Sequence, residues 1–201
     1  WGVTIVRYVD GRTPLEVAEK ASIIPNQRRA PCSLQLKIKP FTAYIKSMPK
    51  PLTVHLGLDF TEMHRAERPK AEYEKVPGVT VDLPLLWEPV AKPPHRYAVE
   101  EWGIETPRLY KLGFPHNNCG GRCVRQGIKE WLRLKHTFPD RFTEVADWEQ
   151  EQRAKGGARA DYAIARDARG GTVKPMPLHD IHIVKGEQLP LGTSNEDVFS
   201  C

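Results

Sequence analysis

The chain has 201 residues, of which 40% are hydrophobic, and carries a formal net charge of +5. This length fits one domain of ordinary size, or one domain with a small appendage. No apolar run approaches the roughly 20 residues of a membrane-spanning helix, and no secretory signal is visible, so we expect a cytoplasmic protein without a membrane partner. The positive charge favours an anionic partner, either nucleotide phosphates or a nucleic-acid backbone.

The chain opens with strand and helix patterns. β-branched and aromatic residues over 2–9 predict a buried strand. Thr13 followed by Pro14 predicts the cap and first turn of a short helix. Apolar residues at helical spacing between 34 and 48 predict a second helix, in which Pro40 must lie at a break or in a first turn.

Two further strand patterns, over residues 52–58 and 79–87, flank a charged stretch of helical sequence. Alternation of strand and helix predicts an α/β fold with a mostly parallel sheet, which we assign to residues 1–88. Prolines and short helical patterns dominate afterwards. We therefore expect residues 89–201 to form a helical, loop-rich C-terminal region that carries most of the cysteines.

The four cysteines are Cys32, Cys119, Cys123 and Cys201. Four are too few to staple a secreted domain of this size, which leaves free thiols, metal ligands or catalytic groups. If a helix begins near Cys119, then Cys119 and Cys123 lie four residues apart on one face. Nearby arginines favour the thiolate, which suits iron–sulfur ligation, zinc ligation or nucleophilic attack. Two buried structural cysteines are the alternative, while all four thiolates together could hold a cluster.

Charged residues elsewhere offer candidates for ligand binding. Glu62, His64 and Arg65 follow the strand pattern of 52–58, where polar groups line the ligand crevice of open α/β sheets. They suit a ribose, a phosphate or a divalent ion such as Mg²⁺, with a solvated helix cap as the alternative. Lys37 could hold a phosphate or sulfate, although most single lysines are surface groups.

Four basic residues recur at a spacing of three or four, so one helix face could carry them all: Arg122, Arg125, Lys129 and Arg133. Such a face fits nucleic-acid binding, although a solvated helix face explains the same pattern and is the commoner case.

Taken in order, these motifs resemble the PAPS-reductase-like (phosphoadenosine-phosphosulfate) proteins of the PP-loop, or adenine nucleotide α-hydrolase-like, superfamily. The resemblance runs from about residue 2 to about residue 170. Its motifs are Arg29-Ala30-Pro31-Cys32-Ser33, Leu36-Lys37, Glu62-x-His64-Arg65, Pro84-Leu85, Gly103-Ile104-x-x-Pro107-x-x-Tyr110-x-x-Gly113, and the segment from Cys119 to Cys123.

The resemblance implies a Rossmann-like sheet that binds an adenine nucleotide, either ATP or a PAPS-type sulfonucleotide. It implies sulfur transfer or reduction, including sulfur modification of nucleic acids, with an iron–sulfur cluster and a sulfur-donor protein as partner. The resemblance makes Cys119 and Cys123 candidate cluster ligands and Lys37, Glu62 and Arg65 candidate nucleotide-side residues. Cys32 and Cys201 are the further thiols that could complete a cluster, and His64 is a further candidate on the nucleotide side. Cys32 and Cys201 are the candidate catalytic thiols.

Two departures from the family pattern leave alternatives open. The superfamily's SGGxDS loop is absent from the 201 residues, and so is the Glu-Cys-Gly tail of assimilatory PAPS reductases. We expect either that the loop lies on a segment before Trp1, or that the chain is a partner subunit or a degenerate relative. The alternative function is a nucleic-acid-binding or partner module whose metal site is purely structural.

Overall fold

The structure is a computed structural model that describes residues 2, 4–58, 60–87, 101–168 and 170–182. Its chain divides into two compact units. Unit 1 combines Trp1–Tyr8 with Leu36–Glu105, and unit 2 combines Val9–Gln35 with Thr106–Cys201. The chain therefore passes between the units three times, whereas the sequence analysis assigns one boundary, after residue 88.

The described elements follow one another as short helices and strands. In chain order they are α1 (Pro14–Lys20), α2 (Pro31–Ser33), α3 (Lys39–Ser47), β1 (Leu52–His55), α4 (Glu67–Glu74), β2 (Val79–Asp82), α5 (Arg108–Lys111), α6 (Ile128–Thr137), α7 (Pro139–Ala154), β3 (Ala165–Asp167) and β4 (Lys174–Met176). A π-helical turn covers Leu34–Ile38, and 3₁₀ turns cover Phe60–Arg65, Pro84–Leu86, Cys119–Gly121, Gly157–Arg159 and Leu178–Asp180.

Unit 1 is built on a parallel pair of strands. β1 lies beside β2 with Leu52 opposite Val79 and His55 opposite Asp82. Parallel strands need a crossover connection, and α4 lies within it. The prediction of mixed helix and strand with a parallel sheet is confirmed for these two strands, although both are shorter than predicted. β2 ends shortly before Pro84, which starts a 3₁₀ turn.

The core of unit 1 forms where these strands meet two helices. Val54 of β1 is buried, as are alternate residues of β2, because successive strand side chains point to opposite faces. Ile45 of α3 and Tyr73 of α4 complete the apolar cluster. The ring of Phe41 meets that of Tyr73 edge to face at 5.4 Å between centroids.

The predicted strand over residues 2–9 is wrong for the described residues of that segment. They form no strand, and Ile5 and Val9 are 85% and 76% exposed. β-branched residues favour an extended chain, but a strand is completed only by a hydrogen-bonded neighbour. Among the described residues, no strand lies beside this segment.

Pro40 determines the course of the helical run from residue 31 to residue 47. A proline inside an α-helix lacks its N–H and clashes with the carbonyl four residues earlier. Here a wider π turn, Leu34–Ile38, precedes Pro40, and α3 begins with Lys39 and Pro40 in its first turn. The expectation that Pro40 lies at a break or in a first turn is confirmed.

Unit 2 is organised around α6 and α7. Trp131, Leu134 and Val145 are completely buried between these helices and the chain that follows them. Phe138 is the single residue between the helices, and Pro139 begins α7, where its missing N–H costs nothing. The predicted cap of α1 is also present, since Thr13 Oγ1 accepts from the Glu16 amide at 3.2 Å.

A buried carboxylate ties the end of unit 2 to α7. Glu149 is 1% exposed. Its Oε1 accepts from the Ile164 amide and its Oε2 from the Leu178 amide, both at 2.5 Å. Burial raises the pKa of Glu149 above its ordinary value of 4.5, and the two amide donors only partly offset this.

The raised pKa makes the stability of unit 2 depend on pH in a defined direction. Between 4.5 and the raised pKa of Glu149, the unfolded chain has released its proton while the folded chain keeps it. The free energy of unfolding therefore falls as pH rises through this interval. We expect the unfolding free energy of the wild type minus that of Glu149→Gln to decrease as pH rises from about 4 to about 8, measured by urea denaturation.

The control for this prediction is Glu151→Gln, on the same helix but with an exposed side chain. Its difference from the wild type should not follow the same pH curve. A difference for Glu149→Gln that increases with pH would contradict the prediction, because the two amide donors would then outweigh burial.

Candidate functional site

Two polar residues face each other at the carboxyl edge of the parallel pair in unit 1. His55 ends β1, Asp82 ends β2, and the two are register partners. His55 Nδ1 lies 3.1 Å from Asp82 Oδ2, with side chains 58% and 24% exposed. Asp82 Oδ1 also accepts from the Leu83 amide at 2.8 Å. The sequence analysis did not identify this pair, because its strand patterns ran past both residues; the available signal was a single ionisable residue within each apolar pattern.

The predicted residues Glu62, His64 and Arg65 lie on the 3₁₀ turn Phe60–Arg65, which follows β1 in the chain. Arg65 Nη1 forms an ion pair with Glu62 Oε1 across one turn. His64 is exposed. An incoming phosphate would have to compete with Glu62 for the guanidinium group, because that carboxylate already neutralises it.

The remaining predicted nucleotide-side residue, Lys37, lies on the π turn Leu34–Ile38, and its side chain is exposed. A lysine there presents its ammonium group to the solvent. This placement fits either a phosphate-binding group or an ordinary surface lysine, so the role of Lys37 stays a prediction.

The helix predicted to begin near Cys119 does not form there. Cys119–Gly121 is a single 3₁₀ turn, and α6 begins only at Ile128. The physical reason is backbone handedness, since Cys119, Gly120 and Gly121 have φ values of +51°, +59° and +86°. A right-handed helix requires negative φ throughout. Cys119 and Cys123 therefore do not share a helix face.

The three described cysteines have different surroundings. Cys32 is half-buried in α2 and packs against the core of unit 2, Cys119 is exposed, and Cys123 is half-buried. In the described part of the chain, no three cysteine, histidine or acidic side chains gather as a metal-ligand group. Cys201 lies outside the described residues. An iron–sulfur cluster needs converging thiolates, which the described residues do not supply, so the cluster stays a prediction.

Cys119 lines a small cavity of about 160 Å³ in unit 2, together with Leu15, Arg122 and Glu144. Arg122 forms an ion pair with Glu144. The arginine nearest to Cys119 in sequence therefore has its charge matched by a carboxylate.

The predicted basic helix face is wrong. Only Lys129 and Arg133 belong to α6, because Arg122 and Arg125 precede it. Arg125 Nε donates to a backbone carbonyl at 3.3 Å. The Arg133 guanidinium lies over the Phe114 ring, 5.8 Å from its centroid, and donates to another backbone carbonyl at 3.4 Å. The three arginines of this predicted face therefore each form a different local interaction.

Among the described residues, no helix combines the length and apolar character needed to cross a bilayer. Comparisons of the chain with protein-family models, curated proteins and solved structures find no match. The resemblance to PAPS-reductase-like proteins therefore remains a prediction.

Gly121 is required by both its conformation and its surroundings. A Cβ at this position would lie 3.0 Å from Leu134 Cδ1 and 3.4 Å from Phe114 Cε1, at a φ of +86°. We expect Gly121→Ala to lower the free energy of unfolding by about 2–5 kcal/mol in urea denaturation, from left-handed strain plus overpacking.

Gly171→Ala is the matched control, because Gly171 has a φ of +80° with no atom within 4 Å of its Cβ position. It carries the backbone strain alone and should cost about 1–2 kcal/mol. Equal losses for the two variants would show that the contact with Leu134 contributes nothing.

Proposed function

We propose that this chain is part of a PP-loop enzyme of the PAPS-reductase type, with a Rossmann-like sheet that binds ATP or a PAPS-type sulfonucleotide for sulfur transfer or reduction. The observation that carries the proposal is the position of polar groups at the carboxyl ends of two parallel strands. His55 and Asp82 close the strands, and Glu62 to Arg65 follow β1. In open α/β sheets, ligands bind outside these strand ends.

The His55–Asp82 pair would contribute an oriented imidazole. If Asp82 accepts the proton of Nδ1, the opposite ring nitrogen, Nε2, carries a lone pair that can take a proton from an attacking group. Both side chains are open to solvent, so a substrate can reach them. Asp82 is held by the Leu83 amide, which fixes the direction of its carboxylate.

The two members of the Glu62–Arg65 pair would bind the phosphate and the metal ion of a metal–nucleotide complex. The phosphate oxyanion would take the guanidinium group, which binds phosphate in a fork geometry. Release of Glu62 would then give Mg²⁺ a carboxylate ligand of the type it prefers. The Glu62–Arg65 pair would thus provide one group for the anion and one for the cation.

In the ATP-dependent version of this chemistry, an acceptor oxygen attacks the α-phosphorus and pyrophosphate leaves. The sulfur of a donor then attacks the acceptor atom that carries this oxygen, and AMP leaves with the oxygen. A bond from the acceptor atom to sulfur replaces its bond to oxygen. Positive groups such as Arg65 and Lys37 would stabilise the negative charge that grows on phosphate. The family resemblance supports this reaction type, and the sheet edge supports nucleotide binding.

The first test is calorimetric titration of the whole chain with ATP plus Mg²⁺ and with PAPS, with adenosine as the uncharged control. Arg65→Gln should weaken nucleotide binding by roughly 10-fold, as expected for loss of a charged hydrogen bond. The matched control is Arg68→Gln, an exposed arginine on α4, which should leave the affinity unchanged. Equal effects of both substitutions, or no binding by the wild type, would contradict the proposal.

Glu62→Gln separates the two halves of the ion pair. It releases the guanidinium group from its carboxylate partner, so we expect tighter binding of metal-free ATP. It also removes the carboxylate intended for Mg²⁺, so the gain in affinity on adding Mg²⁺ should shrink. A variant whose dependence on Mg²⁺ equals that of the wild type would show that Glu62 does not bind the metal.

A further inference from the structure

Unit 2 contains a cavity of about 270 Å³ whose polar lining is dominated by arginine. The four arginines that line it are Arg28, Arg29, Arg159 and Arg166. The described lining residues include no aspartate and no glutamate. Four positive charges around one small space repel one another, so the lining is complementary to an anion.

Among the described residues, the four cavity arginines lack a carboxylate partner, unlike three other arginines of the chain. Arg12, Arg65 and Arg122 each form an ion pair. Within the described ranges, none of the four cavity arginines forms one. Their charge is therefore not neutralised by the described part of the protein, and a bound anion would supply the missing counter-charge.

A buried asparagine fixes the two arginines that are adjacent in sequence. Asn26 is 7% exposed, and its Oδ1 accepts from the amides of Arg28 and Arg29 at 3.0 and 3.1 Å. The backbone amide of Asn26 donates to the Arg29 carbonyl at 2.9 Å. These bonds close a tight turn that sets where both side chains leave the backbone.

The other two arginines come from distant parts of unit 2. Arg159 ends the 3₁₀ turn Gly157–Arg159, and its Nε donates to the Ser22 carbonyl at 3.2 Å, which leaves the terminal nitrogens of the fork for a ligand. Arg166 is the central residue of β3, and its neighbour Ala165 is 1% exposed. Because strand side chains alternate, Arg166 points away from the core that Ala165 joins.

Besides the arginines, Ser22 and Asn26, the lining is apolar or aromatic. Ile24 is buried at 3% exposure, and Tyr162 presents a ring that is 53% exposed. Aromatic rings stack on nucleobases, and arginine forks bind phosphate or sulfate through paired hydrogen bonds. The volume lies just below the roughly 300–1,000 Å³ typical of small-molecule sites, so it suits one charged group and part of its carrier.

We propose that this cavity is a binding site for the phosphate or sulfate group of a mononucleotide. It belongs to unit 2, and none of its residues lies at the strand ends of unit 1 that carry the proposed function. The two proposals can therefore fail separately.

The test is calorimetric titration of the whole chain with four probes, namely inorganic phosphate, inorganic sulfate, 5′-AMP and adenosine. We expect 5′-AMP to bind, the two inorganic ions to bind more weakly at the same place, and adenosine not to bind. Arg159→Gln and Arg166→Gln should each weaken 5′-AMP binding by roughly 10-fold. Competition of inorganic phosphate with 5′-AMP would show that the phosphate group is the part recognised.

Three variants serve as controls. Lys129→Gln makes the same change in net charge at an exposed position in unit 2, and it should leave the affinity unchanged. Arg68→Gln removes an exposed cation of unit 1 that belongs to neither proposed site, so its affinity for inorganic phosphate should equal that of the wild type. Arg166→Lys keeps the charge but not the fork, and it should bind more weakly than the wild type and more tightly than Arg166→Gln.

Several outcomes would overturn the inference. One is a wild type that binds neither 5′-AMP nor inorganic phosphate. Another is a loss for Lys129→Gln as large as that for the arginine variants, which would show only a general charge effect. A chain that binds oligonucleotides but no mononucleotide would also overturn it, because the cavity would then contact a polymer backbone instead. Circular dichroism of each variant establishes that a loss of affinity is not a loss of folding.

Discussion

The carboxylate of Glu149, removed from water, is the interaction on which the described part of unit 2 depends. It joins α7 to the chain at Ile164 and at Leu178, segments whose own secondary structure is too short to stand alone. β3 starts one residue after Ile164, so this bond also places Arg166 in the wall of the arginine cavity. Burying a charge is unfavourable, yet it satisfies two amides that would otherwise be unpaired. Burial of Glu149 therefore lowers stability, while its two hydrogen bonds fix the position of the segment that carries Arg166.

The two units present polar groups by different means. In unit 1 the chemistry lies where regular structure stops, since His55 and Asp82 are the last residues of a parallel pair and share its register. In unit 2 the binding groups come from a turn, a 3₁₀ segment and a short strand, and side-chain hydrogen bonds hold them. Asn26 and Glu149 accept hydrogen bonds from backbone amides and so position these segments, as backbone pairing positions the strands of the sheet.

The sequence predicted the elements whose determinants are local. The cap at Thr13, the helix start at Pro139 and the break before Pro40 each follow from the chemistry of one or two side chains. The strand over residues 2–9 failed because a strand depends on a partner that its own sequence does not specify. The helix near Cys119 failed because the left-handed backbone of that turn outweighs the helical spacing of the residues after it.

The candidate sites were predicted only in part, for the same reason. Residues 62–65 were proposed from the sequence because they come soon after a strand pattern, whereas the arginine cavity joins residues near 28 to residues near 166. No spacing rule connects such distant positions; only the folded chain does. The convergence of the cysteines is likewise a property of the fold, and the described residues do not show it.

The exposed segment from Ile5 to Val9 has a consequence for how copies of this protein behave at high concentration. In the described part of the chain, no strand lies beside these β-branched and aromatic residues. Their backbone amides and carbonyls can therefore pair with another extended chain, which is how uncovered strand edges begin to aggregate. Arg7 stands in the middle of this stretch with its charge in water. Two copies that paired around this position would bring their Arg7 guanidinium groups together, and the repulsion between them would oppose self-association.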